Sequence, residues 1–275
     1  MSGSRMTIIA GVFSICAILC YIVCFKLTRE RVEVPASSQK VSASAIFKSI
    51  FTNRALLGII VAAIFVLLSQ LTVMSLAGYV YPNVYGSAAA QSTASLLGTV
   101  IMLIVCAPFA SKLAAKFGKK ELAVASSICS ALVWLVCLIW RPASVWGFVA
   151  CYILANVGMG FFNTIIWAMI TDVIDDAEVR SGIREDGTIY SVYSFARKLG
   201  QAFSSGLVGA LLGIIGYTEA TAFDPAVTRG IFNMACIAPI IGFVCIVLAL
   251  VFLYPLNKKK VEENVAALAA RRNNK

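Results

Sequence analysis

The sequence lacks histidine, has few charged residues and has no cysteine pair spaced for metal binding. Charged residues make up 13% of its 275 residues, about half the share in an average soluble domain. No C-x-x-C pair occurs, and all nine cysteines fall in long apolar runs. The cysteines are therefore interpreted as small buried apolar side chains. We expect no metal site, no disulfide framework, no resident cofactor and no enzymatic activity.

Long apolar runs dominate what is present. The chain is 60% hydrophobic, with a mean hydropathy of +0.88, and a spanning helix needs roughly 20 mostly apolar residues. The first run has no small-residue cleavage site and is interpreted as a retained helix rather than a signal peptide. The sequence predicts an all-α polytopic membrane protein with about seven transmembrane helices, at 6–25, 55–81, 88–110, 122–140, 146–170, 188–216 and 230–255.

Basic residues concentrate in alternate connections, which predicts the orientation. The basic segments are 26–54, 111–121 and 257–275. The connections predicted to lie outside, 82–87, 141–145 and 217–229, contain only Arg141 and Arg229 as bases. We expect the protein to lie in the plasma membrane. By the positive-inside rule its N-terminus is expected outside and its C-terminus in the cytoplasm. This placement also explains the net charge of +10 without a nucleic-acid partner.

The longest connection divides the chain unevenly. It is polar and contains PASSQKVSAS, which is typical of a linker. The predicted organisation is a single transmembrane helix at 1–26, a cytoplasmic linker at 27–54, a six-helix bundle at 55–256 and a cytoplasmic tail at 257–275. One helix before the linker, with only five residues ahead of it, suggests a chain cut from a larger protein.

Lys198 lies about ten residues into the sixth predicted span. A lysine at the centre of a spanning helix costs about 2.5–3.5 kcal/mol on insertion scales. Its polar neighbours recur at spacings of three and four, so they share one stripe of the helix. They are Ser191, Ser194, Gln201 and Ser205. A water-filled cavity along this stripe would explain the pattern, and a lysine satisfied by a carbonyl or by water without a ligand is the alternative.

Asn163 and Trp167 supply polar and aromatic groups on the preceding span. An asparagine and a tryptophan can hydrogen-bond to a sugar and stack on it. Interhelical hydrogen bonding of Asn163 and packing of Trp167 are the alternatives. Gln70, Thr72 and Ser75 of the second span are weaker candidates.

Six of the chain's 13 acids fall in the 17 residues TDVIDDAEVRSGIREDG, at 171–187. Asp172, Asp175 and Glu178 recur every third residue and are expected to share a helical face as the span leaves the membrane. We expect them to pair with basic residues across a closing cytoplasmic mouth, for example in 112–120. Simple solubility of a loop is the alternative.

Four motifs in this order resemble the glycoside–pentoside–hexuronide:cation symporters, the melibiose-carrier-like family. They are LTRERV at 27–32, AAKFGKK at 114–120, DVIDDAE at 172–178 followed by Gly182, Arg184 and Gly187, and YSFARKLGQAFSSGLVGALLGIIGY at 193–217. Asp176 is a departure, because the family usually has an aromatic residue there.

The resemblance implies a major facilitator-type fold of two six-helix bundles around a central cavity. It implies import of a sugar or glycoside driven by Na⁺, H⁺ or Li⁺. Under it, the chain is the last helix of the first bundle plus a complete second bundle, and the coupling-cation site lies mainly in the missing N-terminal half.

The resemblance also assigns roles to individual residues. Lys198 corresponds to the family's mid-membrane lysine and Ser194 to a hydroxylated residue one turn earlier. Together with the stripe, it predicts a substrate-binding set and a cytoplasmic gate. The substrate-binding set is Lys198, Ser194, Asn163, Gln201 and Trp167, and the gate is Asp172, Asp175, Glu178 and Arg184.

Two other interpretations remain open from the residues. The chain can be a truncated, non-transporting remnant that needs a separate first half. A seven-helix receptor fits the helix count, but retinal-binding proteins carry their lysine in the seventh helix, whereas Lys198 is in the sixth.

Overall fold

A computed structural model describes residues 3–28 and 53–273, and these residues form helices without any strand. Two short π-helices, Val80–Val84 and Ala249–Leu253, continue the α-helices that end at Tyr79 and Leu248. The predicted all-α class is confirmed. The helices are α1 Gly3–Leu27, α2 Arg54–Tyr79, α3 Ala88–Phe117, α4 Lys119–Trp140, α5 Val145–Ser181, α6 Asp186–Ile214, α7 Pro225–Leu248 and α8 Lys258–Asn273.

Six described helices are long and apolar enough to cross a membrane: α1 to α5 and α7. The remaining predicted span, the sixth at 188–216, forms α6, which has 29 residues and is long enough to cross a membrane. It is not among the six because its polar stripe lowers its hydropathy. The chain is a multi-pass membrane protein.

α1 forms one compact unit, and α2 to α8 form another. Every side chain described in α1 is exposed, as expected of a span surrounded by lipid. Most of the predicted linker at 27–54 lies outside the described residues.

α2 is the most central helix of the second unit. It packs along α6 on one side and α7 on the other. Gly200 of α6 permits the first contact, because a Cβ there would lie 2.7 Å from the Ile64 carbonyl oxygen. The close approach brings two backbones together, which is how small residues stabilise helix pairs in membranes.

The contacts continue in the order α6, α2, α7, α4, α5, α3, and α2 also touches α5. α6 and α3 therefore stand at the two ends of this order and do not pack along each other, although α6 also touches α5. We call the side between α6 and α3 the open side. The side chains that α3 buries are small, whereas Leu96, Leu103 and Ile104 on it are exposed. Large apolar residues outside and small ones at the contacts are typical of a lipid-facing bundle.

α5 continues well beyond the predicted span at 146–170 and into the acidic stretch at 171–187. It runs for 37 residues to Ser181, about 55 Å at 1.5 Å per residue, against roughly 30 Å of bilayer hydrocarbon. The first half of 171–187 is therefore helix and not loop. Gly182 follows it with φ +75°, a left-handed conformation that glycine adopts without strain.

Candidate functional site

An arginine and two aromatic residues join α5 to α6 on the open side of the bundle. Arg197 donates a hydrogen bond from Nη1 to Tyr193 Oη at 3.2 Å. Its guanidinium lies 5.5 Å from the ring centroid of Trp167, within range of a cation–π contact. The rings of Trp167 and Tyr193 meet edge to face at 5.6 Å. Trp167 remains 49% exposed, so part of its ring is available for stacking.

The polar stripe of α6 points away from the helix that α6 packs on. The buried face includes Tyr193, Gly200 and Ser204. Ser194 and Lys198 are exposed, and Gln201 is half-buried beside them. Lys198 Nζ donates to Gln201 Oε1 at 3.2 Å, so its hydrogen-bond partner comes from its own helix. The Lys198 ammonium is therefore accessible from outside the bundle and can bind a further group.

Asn163 of α5 reaches across the bundle to α2. Its Nδ2 donates to Gln70 Oε1 at 3.4 Å, which is the interhelical bond considered above as its alternative role. Both amides are half-buried. Each amide group still has other donor or acceptor positions for a ligand.

The predicted substrate residues therefore divide into two groups. Trp167 meets α6 through Tyr193 and Arg197, and Asn163 meets α2 through Gln70. Ser194, Lys198 and Gln201 line the exposed stripe of α6. The sequence patterns did not single out Arg197 and Tyr193. The signal available was a second cation inside a span, next to Lys198 and one turn after an aromatic residue.

The predicted gate residues are split by the structure. Asp172 pairs with Lys119 of α4 at 2.6 Å. Lys119 is placed there by Gly118, the one residue between α3 and α4, whose φ of +106° suits glycine alone. Asp172 is 5% exposed and the Lys119 side chain is 33% exposed, so the carboxylate of this ion pair lies inside the bundle and the lysine at its edge.

Asp175 and Glu178 instead meet Arg184, which follows the end of α5. The guanidinium lies 3.0 Å from Asp175, 2.7 Å from Glu178 and 2.8 Å from Asp186. Glu178 above all raises the pKa of Arg184, with Asp175 and Asp186 contributing. Asp172 thus meets a base of the segment 112–120, where a partner was expected, whereas the other two acids hold the chain that leaves α5.

Asp176, the departure from the family pattern, is buried and has two partners. It pairs with Arg180 at 2.8 Å and accepts a hydrogen bond from Asn264 Nδ2 of α8 at 3.1 Å. Arg271 of α8 donates to the carbonyl oxygens of Glu178 and Val179, two of the last carbonyls of α5. α8 is thus docked on the end of α5.

Comparison with known proteins identifies the family of the chain. The model of a family described as MFS/sugar transport protein matches residues 1–258, and the chain belongs to this family of membrane transporters. The chain is 27% identical over 264 residues to the glucuronide carrier protein homolog of Escherichia coli, covering 95% of this chain and 56% of that protein. This confirms the resemblance drawn from the motifs.

Other relatives carry similar names. The chain is 28% identical to the uncharacterized symporter YjmB of Bacillus subtilis, covering 92% of this chain and 55% of that protein. It is 34% identical over 105 residues to YagG of Escherichia coli, provisionally named a glycoside/cation symporter, covering 37% of this chain and 23% of that protein. Carriers and symporters are not enzymes, which agrees with the expectation. The chain spans about half the length of the first two relatives.

Proposed function

We propose that the chain is the C-terminal part of a sugar or glycoside:cation symporter that works by alternating access. The observation that carries this proposal is the pair of cations, Arg197 and Lys198, in the middle of α6, where Arg197 contacts Trp167 of α5 and Lys198 is exposed. Ionisable residues inside a membrane span face a cavity or a partner and mark a transport pathway. The family membership and the relatives' names support a sugar as cargo.

The site residues have distinct roles in this proposal. The exposed part of Trp167 stacks on the apolar face of a sugar ring, as aromatic faces do on apolar surfaces. Asn163 and Ser194 hydrogen-bond to sugar hydroxyls, and Gln201 holds Lys198 in place. Lys198 orients the ligand and pairs with carboxylates of a first bundle.

The coupling cation, Na⁺ or H⁺, is proposed to bind mainly outside this chain. Within a membrane a carboxylate is the natural ligand for either ion. The acids described in the helices from α2 to α7 lie near one end of the bundle, from Asp172 onward in α5, at Asp186 of α6 and at Glu121 of α4. The open side beside α6 is where a six-helix first half would fit, and that half would supply the carboxylate.

The acid cluster at the end of α5 is proposed to form the cytoplasmic gate. Trp167 and Asp175 are eight residues apart on one helix, about 12 Å. A tilt of α5 that moves the sugar site therefore moves the Arg184 cluster as well. Rocking of one bundle against the other around a midplane site is the usual mechanism of such carriers.

The test is uptake by the chain produced together with a six-helix first half, such as that of the glucuronide carrier homolog. We expect uptake of labelled glycosides that depends on a Na⁺ or H⁺ gradient, and loss of nearly all uptake in Lys198→Gln. Lys112→Gln removes an exposed cation near the end of α3 and is expected to leave uptake unchanged.

Two results would count against the proposal. A co-purifying pair of halves that transports no glycoside under either gradient would favour the non-transporting remnant. Full uptake by Lys198→Gln would remove Lys198 from the mechanism and leave Arg197 as the cation to test.

A further inference from the structure

A polar cavity lies at the end of the bundle away from the acid cluster. Arg141 follows the C-terminal end of α4, whose N-terminal end carries the Lys119–Asp172 pair. The cavity measures about 360 Å³, within the size range of small-ligand sites. It is formed by the end of α2, the turn between α4 and α5, and the first turns of α7, so it is separate from the open side beside α6.

Two arginines from different elements line this cavity. Arg141 comes from the α4–α5 turn, and Arg229 comes from α7. Thr228 adds a hydroxyl, and Tyr85 and Phe232 add aromatic surface. None of the residues that line the cavity is acidic. Arg141 and Arg229 are also the only bases in the three connections, 82–87, 141–145 and 217–229, that the sequence pattern assigns to the outside.

The wall carrying Arg141 is held in place. Its Nη2 donates to Asn233 Oδ1 of α7 at 3.3 Å, and Tyr85 Oη donates to the Pro142 carbonyl at 2.9 Å. Arg141 itself has φ +48°, the position after a helix where glycine is usual. An arginine kept in a conformation that favours glycine points to a use for its side chain.

Neither arginine has an acidic partner among residues 53–273. No ion pair there involves Arg141 or Arg229, and the neighbouring Asp224 is exposed and does not line the cavity. Two arginines lining one cavity bring two positive charges to it, and an anion bound there reduces their repulsion. Guanidinium matches carboxylate, sulfonate and phosphate groups through paired hydrogen bonds.

We propose that this cavity binds an oxyanion between Arg141 and Arg229. Two sources share that chemistry: a small free anion in solution, and the phosphate of an anionic phospholipid. Thr228 contributes a hydrogen bond to the anion, and Tyr85 supports the turn that carries Arg141. The site goes beyond the proposed transport function, and its test does not depend on uptake.

The experiment measures binding of ³⁵S-labelled sulfate to the purified full chain in nanodiscs of phosphatidylcholine. A second arm uses nanodiscs containing phosphatidylglycerol and counts the lipids retained by native mass spectrometry. The test variants are Arg141→Gly and Arg229→Gln. Lys112→Gln is the matched control, because it removes one exposed cation outside the cavity lining.

We expect saturable sulfate binding that each arginine variant weakens at least about tenfold, the loss typical of one charge-assisted hydrogen bond. Arg141→Gly is expected to keep or raise the thermal unfolding midpoint, because glycine adopts its φ freely. This separates loss of binding from loss of fold. The control variant is expected to bind as the unchanged chain does.

The two arms distinguish the sources. Sulfate binding that needs both arginines supports a free anion, and retention of phosphatidylglycerol that needs both supports a lipid phosphate. Binding of neither ligand, or binding that the two arginine variants leave unchanged, overturns the proposal.

Discussion

At the scale of residues, the buried carboxylates of α5 are each held by a partner distant in sequence. Asp172 forms an ion pair with Lys119 of α4, and Asp176 accepts a hydrogen bond from Asn264 of α8. Such groups are destabilising when left alone, because a buried charge loses its hydration without compensation. Their partners therefore fix how α4 and α8 sit against α5.

Asp172→Asn is expected to lower the free energy of unfolding by about 2 kcal/mol. Removing one member of a buried ion pair typically costs about 3–5 kcal/mol, and the figure is reduced here because the Lys119 side chain is 33% exposed. The double variant Asp172→Asn with Lys119→Met is expected to recover part of the loss. Thermal unfolding in detergent measures this, and strictly additive losses would contradict the coupling.

Asn264→Ala removes the amide that α8 donates to buried Asp176. Loss of a hydrogen bond to a charged group is expected to cost about 1.5–3 kcal/mol and to make α8 more sensitive to protease. Glu263→Ala, next in sequence and 51% exposed in its side chain, is the control and should change stability by less than about 0.5 kcal/mol. Equal effects of the two variants would contradict the docking of α8.

At the scale of elements, the sequence predicted the positions of the spanning helices well and their ends less well. Apolar runs fix where a helix lies in the membrane, but the acidic continuation of α5 carries no such signal, and its helix ends only at Gly182. Arg197 was overlooked for a related reason. Its contact with Trp167 depends on how α5 and α6 approach each other, which one sequence does not reveal.

The contact between α2 and α6 gives a prediction at this scale. Gly200→Ala places a methyl group only 2.7 Å from the Ile64 carbonyl oxygen and is expected to destabilise by about 1–3 kcal/mol through overpacking. Gly206→Ala on the same helix meets no atom within 4 Å and should be neutral or stabilising by up to about 1 kcal/mol. The comparison uses unfolding midpoints, and a stable Gly200→Ala would contradict the close approach.

At the scale of the whole molecule, composition alone predicted the membrane class, and the family motifs predicted the family. The order of helices in the bundle, with α6 and α3 at its ends, was not readable from the residues. That order depends on which small-residue faces meet.

The proposed orientation gives a prediction for the entire chain. A green fluorescent protein fused after Lys275 is expected to fluoresce, because the positive-inside rule predicts that the basic tail stays in the cytoplasm. Alkaline phosphatase inserted after Arg141 is expected to be active, since the same rule predicts that this connection, which has few bases, lies outside. The reciprocal fusion places alkaline phosphatase after Lys275. Activity of that fusion would show that the tail lies outside and would contradict the predicted orientation.

The small side chains at the helix contacts have a thermodynamic consequence. When such helices separate within lipid, their large apolar residues are already in hydrocarbon and little apolar surface reaches water. The heat-capacity change of unfolding should then be far below the roughly 12–15 cal/mol/K per residue of soluble domains. The stability curve of this bundle would be nearly straight with temperature, and cooling would not weaken it.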